Sequence, residues 1–205
     1  MTSTVNPAHD PPLLHLSERD VSGLLPAPSD AIALARRALV ALADGLAELP
    51  PKPAVHQRPN AFANAMPAYV SDGDLLGLKW VAVQPANASR GLATINGLVI
   101  LADAETGLPL SVMDASALTG SRTAAVSGAC IEALAPPDVG HVAITGAGLQ
   151  ARTHLALLDA IGLHDVTVHV RRSGSGEALC AWAADHAPAV TLTCVDQQQI
   201  GRAHV

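Results

Sequence analysis

Cysteine, aromatic residues and clustered positive charge are all scarce in this chain, and each shortage removes a class of protein. The 205 residues include three cysteines, Cys130, Cys180 and Cys194. They are too few and too scattered for a disulfide framework, and no two form a C-x-x-C pair. A reducing compartment, the cytoplasm, is therefore expected. Aromatic residues make up 2% of the chain, and no Lys/Arg cluster is interleaved with them. No nucleic-acid partner is expected. Acidic residues outnumber basic ones, 18 to 12, for a formal charge of -6. No uninterrupted apolar stretch approaches the roughly 20 residues needed to cross a bilayer, and the N-terminal MTSTVNPAHDPP lacks the basic start and apolar core of a signal peptide. A soluble protein without a membrane contact is expected. Nine histidines occur singly, without the spacing that puts two on one helix face, so no metal site is expected.

What remains is a globular chain, 49% hydrophobic, long enough for one full core or one domain and part of another. Residues 1–12 are polar and proline-rich, a loose tail. In SDAIALARRALVALADGL, residues 29–46, Ile32, Ala35, Leu39, Leu42 and Leu46 recur at three and four. This predicts an amphipathic helix of about 16 residues with Ser29 or Asp30 as N-cap. PPKPAVHQRPN holds too many prolines for helix and reads as extended chain and turn. The runs AMPAYV, LLGLKWVAVQP, TINGLVILAD and LPLSVMD then predict a small, mostly antiparallel sheet between about 53 and 114, with AETG closing a hairpin. A helix from Ser116 to about Leu134 ends at APPDVG. From there the chain alternates strand and helix: HVAIT, LQARTHLALLDAIG, VTVHV, GEALCAWAADH, VTLTC. Such alternation implies parallel β-α-β units. The expected fold is thus α/β, an N-terminal α+β domain over 13–135 followed, over 136–205, by the first part of a Rossmann-type doubly wound parallel sheet.

The strongest chemical signal lies in HVAITGAGLQA. Gly146, Ala147, Gly148, Leu149 and Gln150 form the G-x-G-x-x-A turn between a buried strand and a helix. The first glycine permits a tight turn, the second lets the backbone approach a pyrophosphate, and the small Ala151 lets helix and strand lie close. The diphosphate then meets the free N–H groups of the helix N-terminus. The bland reading is a glycine turn of any α/β domain. VTVHV runs into Arg171, Arg172 and Ser173 with no acid, which favours NADP over NAD, the alternative being a solvated basic loop.

Two further charges stand out. In GLKWVAV, strand alternation puts Lys79 on the same face as Val81 and Val83, either snorkelling to the sheet edge or held beside an anionic ligand. Arg122, in LTGSRTAAVSGA, has Leu118, Ala125, Val126 and Ala129 as helical neighbours, so a buried guanidinium is expected. It serves either a structural salt bridge or bidentate capture of a substrate carboxylate.

The succession MPAYV, LGLKWV, SRGLATINGLVIL, DAETGLPLSVMD, LTGSRTAAVSG and GAGLQA, from about Leu13 to Cys194, resembles the ornithine cyclodeaminase and mu-crystallin family. The combination of the three last motifs is far more specific than a glycine turn alone. The resemblance implies an NAD- or NADP-binding Rossmann domain, action at the Cα–N bond of an amino or cyclic imino acid, and a homodimer formed through the substrate domain. By this resemblance Arg122 holds the substrate carboxylate, Lys79 lies beside the substrate as its catalytic lysine, and Thr94 lines the same pocket. Gly146, Gly148 and Gln150 fall on the dinucleotide turn. Lys52 stands where many members have an arginine, and could hold a carboxylate only as a point charge. Asn64 replaces the acid that cyclodeaminases proper carry two residues before their Met-Pro, which tilts the expectation towards a ketimine (pyrroline-2-carboxylate type) reductase or amino acid dehydrogenase. An ornithine cyclodeaminase or a non-catalytic nucleotide-binding fragment remain alternatives. The family's catalytic aspartate would fall beyond residue 205. The closing IGRAHV reads as translation of a sequencing adapter, predicting a C-terminally truncated member; a natural short homologue is the other reading.

Overall fold

In the computed structural model, which describes residues 12–196, hydrophobic periodicity has produced two kinds of sheet. The expected loose tail and the IGRAHV segment lie almost entirely outside the described residues. The elements, in chain order, are β1 (Leu14–Leu16), α1 (Glu18–Leu24), α2 (Pro28–Ala43), β2 (Ala47–Glu48), β3 (Ala54–Arg58), β4 (Ala61–Val70), β5 (Leu75–Val83), a 3-10 turn (Pro85–Arg90), β6 (Ile95–Asp103), β7 (Pro109–Asp114), α3 (Ser116–Leu134), β8 (His141–Thr145), α4 (Leu149–Ala160), β9 (Asp165–Val170), α5 (Ser173–His186) and β10 (Thr191–Asp196).

The chain divides into two compact units, Met1–Leu25 with Ala38–Leu118, and Pro26–Arg37 with Thr119–Val205. This division runs through α3, whereas the motif order suggested a boundary after it, at 135. In the first unit, β4, β5, β6 and β7 form an antiparallel meander extended by β2 and β1, with β3 also on β4. The hairpin predicted at AETG joins β6 to β7, Asp103 accepting the Thr106 N–H at 2.7 Å. Two glycines permit the close spacing of β5 and β6. A Cβ on Gly97 would lie 2.5 Å from the Trp80 carbonyl oxygen, and one on Gly77 would lie 3.0 Å from that of Ile100. β1 lies parallel to β7 and α1 opens with a capping box between Ser17 and Asp20, neither of which the hydrophobic pattern signalled.

In the second unit, β8, β9 and β10 form a parallel sheet in the order β10-β9-β8. Val166, Val168 and Val170 of β9 are buried with Leu155 and Leu158 of α4 and Leu179 and Ala183 of α5. Ala151, the small residue of the glycine motif, is 4% exposed in the same core. A second cluster joins Ile32, Ala124, Ala129 and Leu157. Gly128 makes that packing possible, since a Cβ there would meet Ile32 Cγ1 and Cδ1 at 2.8 Å.

Two expectations for the helices need correction. α2 has the expected 16 residues but begins at Pro28, so Ser29 and Asp30 lie within its first turn rather than capping it; proline's fixed φ suits that start. Only part of its apolar stripe is buried: Ile32 is 2% exposed, while Leu39 and Leu42 are each 44% exposed. Secondly, Arg122 is exposed. The buried face of α3 is the row of Gly120, Ala124 and Gly128 with Ala125 and Ala129, and Arg122 falls on its rim, beside half-buried Leu118 and Val126. Small residues let α3 approach its neighbours closely on one side only, and the arginine takes the open side.

Candidate functional site

β8 ends at Thr145, and the chain turns through Gly146, Ala147 and Gly148 into α4. Gly146 has φ +102°, a conformation that side chains with a Cβ rarely adopt. Its N–H donates to the His169 carbonyl at 2.9 Å, tying the turn to the end of β9. Gly148 is the N-cap of α4 and provides no side chain to satisfy the first-turn N–H groups. A Cβ at Gly146 or Gly148 would meet nothing within 4 Å. These glycines therefore face open space rather than protein.

That space is a cleft of about 460 Å³, whose lining includes Gly146, Ala147, Gly148, His169, Arg171 and Arg172. Thr145, Val170 and Ser175 complete it, and no acidic residue is among them. Of the sequence-predicted dinucleotide residues, the structure brings Gly146, Ala147, Gly148, Arg171 and Arg172 together. Leu149 and Gln150 are exposed in the first turn of α4 and do not line the cleft. The side chain of Ser173 lies outside the description, while its backbone opens α5.

His169 and Ser175 are additions. The Nδ1 atom of His169 is buried and has no hydrogen-bond partner among the described residues, an orphan of the kind a polar ligand resolves. Strand alternation held the signal for it: in VTVHV the valines face the core, leaving Thr167 and His169 on the other face, His169 being nearest the C-terminal end of the strand. A free helix N-terminus, two glycines open where a Cβ would be, two arginines and an unsatisfied imidazole nitrogen together fit a dinucleotide diphosphate.

The substrate candidates are distributed differently. Lys79 is half-buried in β5, paired with Met66 of β4 and Val99 of β6. Directly opposed residues of an antiparallel pair share a face. Asn64, opposite Val81, is therefore on the face of Lys79. Thr94 is half-buried just before β6, its carbonyl accepting the Gln84 N–H at 2.7 Å. Lys52 is exposed just before β3. These three belong to the first unit and Arg122 to the second. The side chain of Arg122 takes part in none of the hydrogen bonds or ion pairs among the described residues. A larger cleft in the first unit, about 650 Å³, is lined by residues that include Arg58, Asn60, Gln84, Asn87 and Arg90, and by none of Lys52, Lys79 and Thr94. Among the described residues no group of three His, Cys, Asp or Glu could hold a metal ion, and no helix is long and apolar enough to cross a membrane.

A parallel β-α-β-α-β unit with an open glycine turn at its first strand–helix junction defines a Rossmann-type dinucleotide-binding fold. The chain belongs to the ornithine cyclodeaminase/mu-crystallin family, whose model matches residues 15–205. It is 38% identical over 150 residues to the nodulation efficiency protein NfeD of Rhizobium meliloti, covering 73% of this chain and 47% of that protein. To the Delta(1)-pyrroline-2-carboxylate reductase 2 of Burkholderia ambifaria it is 41% identical over 127 residues, 62% of this chain and 40% of the relative. Among solved structures, the Delta(1)-pyrroline-2-carboxylate reductase of Thermococcus litoralis, in complex with NADH and L-proline, superposes with a TM-score of 0.85 at 27% identity. It matches 92% of this chain and 58% of that one. The chain thus spans about half the length of the curated relatives it matches.

Proposed function

We propose that the protein is a nicotinamide-dependent enzyme acting at the Cα–N bond of an amino or cyclic imino acid, as a ketimine reductase of the pyrroline-2-carboxylate type or an amino acid dehydrogenase. The observation that carries this is the cleft at the Gly146–Gly148 turn, open where side chains would be and bordered by Arg171 and Arg172. When bound there, a nicotinamide dinucleotide supplies or accepts the hydride that interconverts amine and imine. Residues 136–205 would carry that cofactor and residues 13–135 the substrate and the dimer contact.

The chain's own residues take the remaining tasks. Arg122 is the proposed carboxylate anchor: its guanidinium presents parallel N–H donors matched to the two carboxylate oxygens, and no described partner occupies them. Lys79, on a half-buried strand face, holds a proton at Nζ for the substrate nitrogen. Thr94 and Lys52 are assigned polar contacts with the same substrate. Asn64 on the Lys79 face offers an amide where cyclodeaminases carry an acid, so ring closure with loss of ammonia has no matching carboxylate there. A homodimer is proposed through the first unit, where Trp80 and Leu98, paired across β5 and β6, are each 43% exposed and set two large apolar side chains next to each other. The thiols of Cys130, Cys180 and Cys194 are free, which suits the cytoplasm proposed for it.

The deciding assay follows NADPH oxidation with a panel of cyclic ketimine carboxylates while measuring proline release from ornithine. Oxidation coupled to ketimine loss is expected. Proline and ammonia without net change in cofactor would instead identify a cyclodeaminase, and binding without any turnover a nucleotide-binding protein.

Two substitutions test the cofactor assignment. Gly148 has φ -86°, which any residue tolerates, so Gly148→Val is expected to leave the melting temperature near its original value and to abolish dinucleotide binding; retained affinity sinks the assignment. NADP is the preferred form, because the cleft offers arginines and no acid for a ribose 2'-hydroxyl. Arg171→Ala should raise the Kd for NADPH by roughly ten- to a hundredfold, the worth of a charge-assisted hydrogen bond, with little change for NADH. Equal effects on the two cofactors would remove the NADP preference.

A further inference from the structure

Cys180 of α5 and Cys194 of β10 place their Sγ atoms 3.1 Å apart although neither is in a disulfide. Both are half-buried, and the Cys194 thiol also donates to the Gly176 carbonyl at 3.6 Å. The fit around them is close: a Cβ on Gly176 would lie 3.1 Å from Cys194 Cβ and 3.4 Å from its Sγ. Gly176 follows Ser175, which lines the cleft at the glycine turn. We infer that Cys180 and Cys194 are a reversible oxidation site, closing to an intramolecular disulfide under peroxide and thereby altering the dinucleotide cleft through the first turn of α5.

Closure needs the sulfurs to approach by about 1 Å, to the ~2.05 Å of a disulfide bond. Burial, and then the hydrogen bond and charge of Cys180, push the Cys194 thiol up to about 12; Cys180 is the attacking group of the proposed step. The Cys180 thiolate attacks one oxygen of hydrogen peroxide, the O–O bond breaks, and the released hydroxide becomes water as Cys180 becomes a sulfenic acid. The Cys194 sulfur then attacks that sulfenic sulfur, losing its proton as a second water departs. Two thiols have lost two electrons and the peroxide has become two waters; a dithiol reductant reverses the change. In the disulfide, Cys194 no longer has a proton for the Gly176 carbonyl, so the turn that carries Ser175 must resettle. Only this second consequence rests on the cleft being the dinucleotide site.

The test treats the whole reduced chain with hydrogen peroxide, alkylates it under denaturing conditions and maps the peptides by mass spectrometry. Expected is loss of two of the three free thiols in a single species linking Cys180 to Cys194, restored by dithiothreitol and unchanged in Cys130→Ser. Full alkylation of both cysteines, bridges between chains through Cys130, or sulfinic acid at either position without a bridge would overturn the oxidation site. Cys180→Ser should remain unbridged; where that variant fails to fold, the map of the unaltered chain decides alone. NADPH affinity is then compared before and after oxidation. A weakening reversed by dithiothreitol supports the link to the cleft, and equal affinities overturn it. A chain that never binds NADPH refutes the cofactor reading while the thiol map still settles the cysteine pair.

Discussion

Arg122→Ala is expected to lose saturation by substrate while keeping its NADPH affinity and its melting temperature. Removing a bidentate carboxylate anchor forfeits roughly 3–4 kcal/mol, which is about a hundred- to a thousandfold in kcat/KM. Had the arginine been buried, as its apolar neighbours suggest, the same substitution would also have disturbed the core. Its exposed place on the rim of α3 separates the two effects, since exposed substitutions stay within about 0.5 kcal/mol in stability. Arg122→Lys should recover only part of the loss, because an ammonium meets a carboxylate as a point charge. Steady-state kinetics with a thermal melt on each variant checks both. An unchanged kcat/KM removes Arg122 from the site, and a collapsed melt would mean a structural role.

The largest loss of stability is expected at Gly97→Ala. The added methyl would sit 2.5 Å from the Trp80 carbonyl oxygen, 3.3 Å from Ala115 Cβ and 3.4 Å from Val81 Cα. Two of these are backbone atoms of the adjoining strand, which cannot rotate away as a side-chain end can. β5 and β6 must spread, straining the ladder around Trp80–Leu98 and Val81–Gly97 and the Ala115 N–H to Gly97 carbonyl bond of 3.1 Å. Overpacking of this kind costs roughly 1–3 kcal/mol, or a fall of about 5–15 °C in a unit of this size. Gly23→Ala is the control: nothing lies within 4 Å of a Cβ there, and within α1 alanine should be neutral or mildly stabilising. A Gly97→Ala variant as stable as Gly23→Ala would show that β5 and β6 can spread without cost and would remove the crowding argument.

The contrast between Gly97 and Gly146 also marks what could be read from the sequence. Gly146 was legible because its neighbours announce a strand, a turn and a helix within eleven residues. The β6–β7 hairpin and the span of α3 were legible for the same reason, as their signals are local. Gly97 carries no local signal, since its need for a missing side chain arises from a carbonyl across the ladder. The pairing of β1 with β7 joins Leu14 to Ser111 and cannot be inferred from a three-residue run. Arg122 shows the limit most clearly: helical spacing names which residues share its side of α3, but not which side α3 buries. That choice is set by where Ile32 and Leu157 press on Gly128. His169, by contrast, was within reach, since the alternation of VTVHV sets it apart from the buried valines.

The bond from the Gly146 N–H to the His169 carbonyl has a bearing on how cofactor choice could be changed. It fastens the glycine turn to the last stretch of β9, so the residues proposed to discriminate between the two ribose forms take their bearings from the turn proposed to receive the diphosphate. Exchanging Arg171 and Arg172 for the acid of an NAD-type strand would change the charge presented to the ribose without moving the anchor that sets its height above the sheet. A cofactor switch in this protein is therefore a problem of the strand end, where the charges at 171 and 172 can be exchanged while the backbone bond from Gly146 to His169 keeps the glycine turn in place.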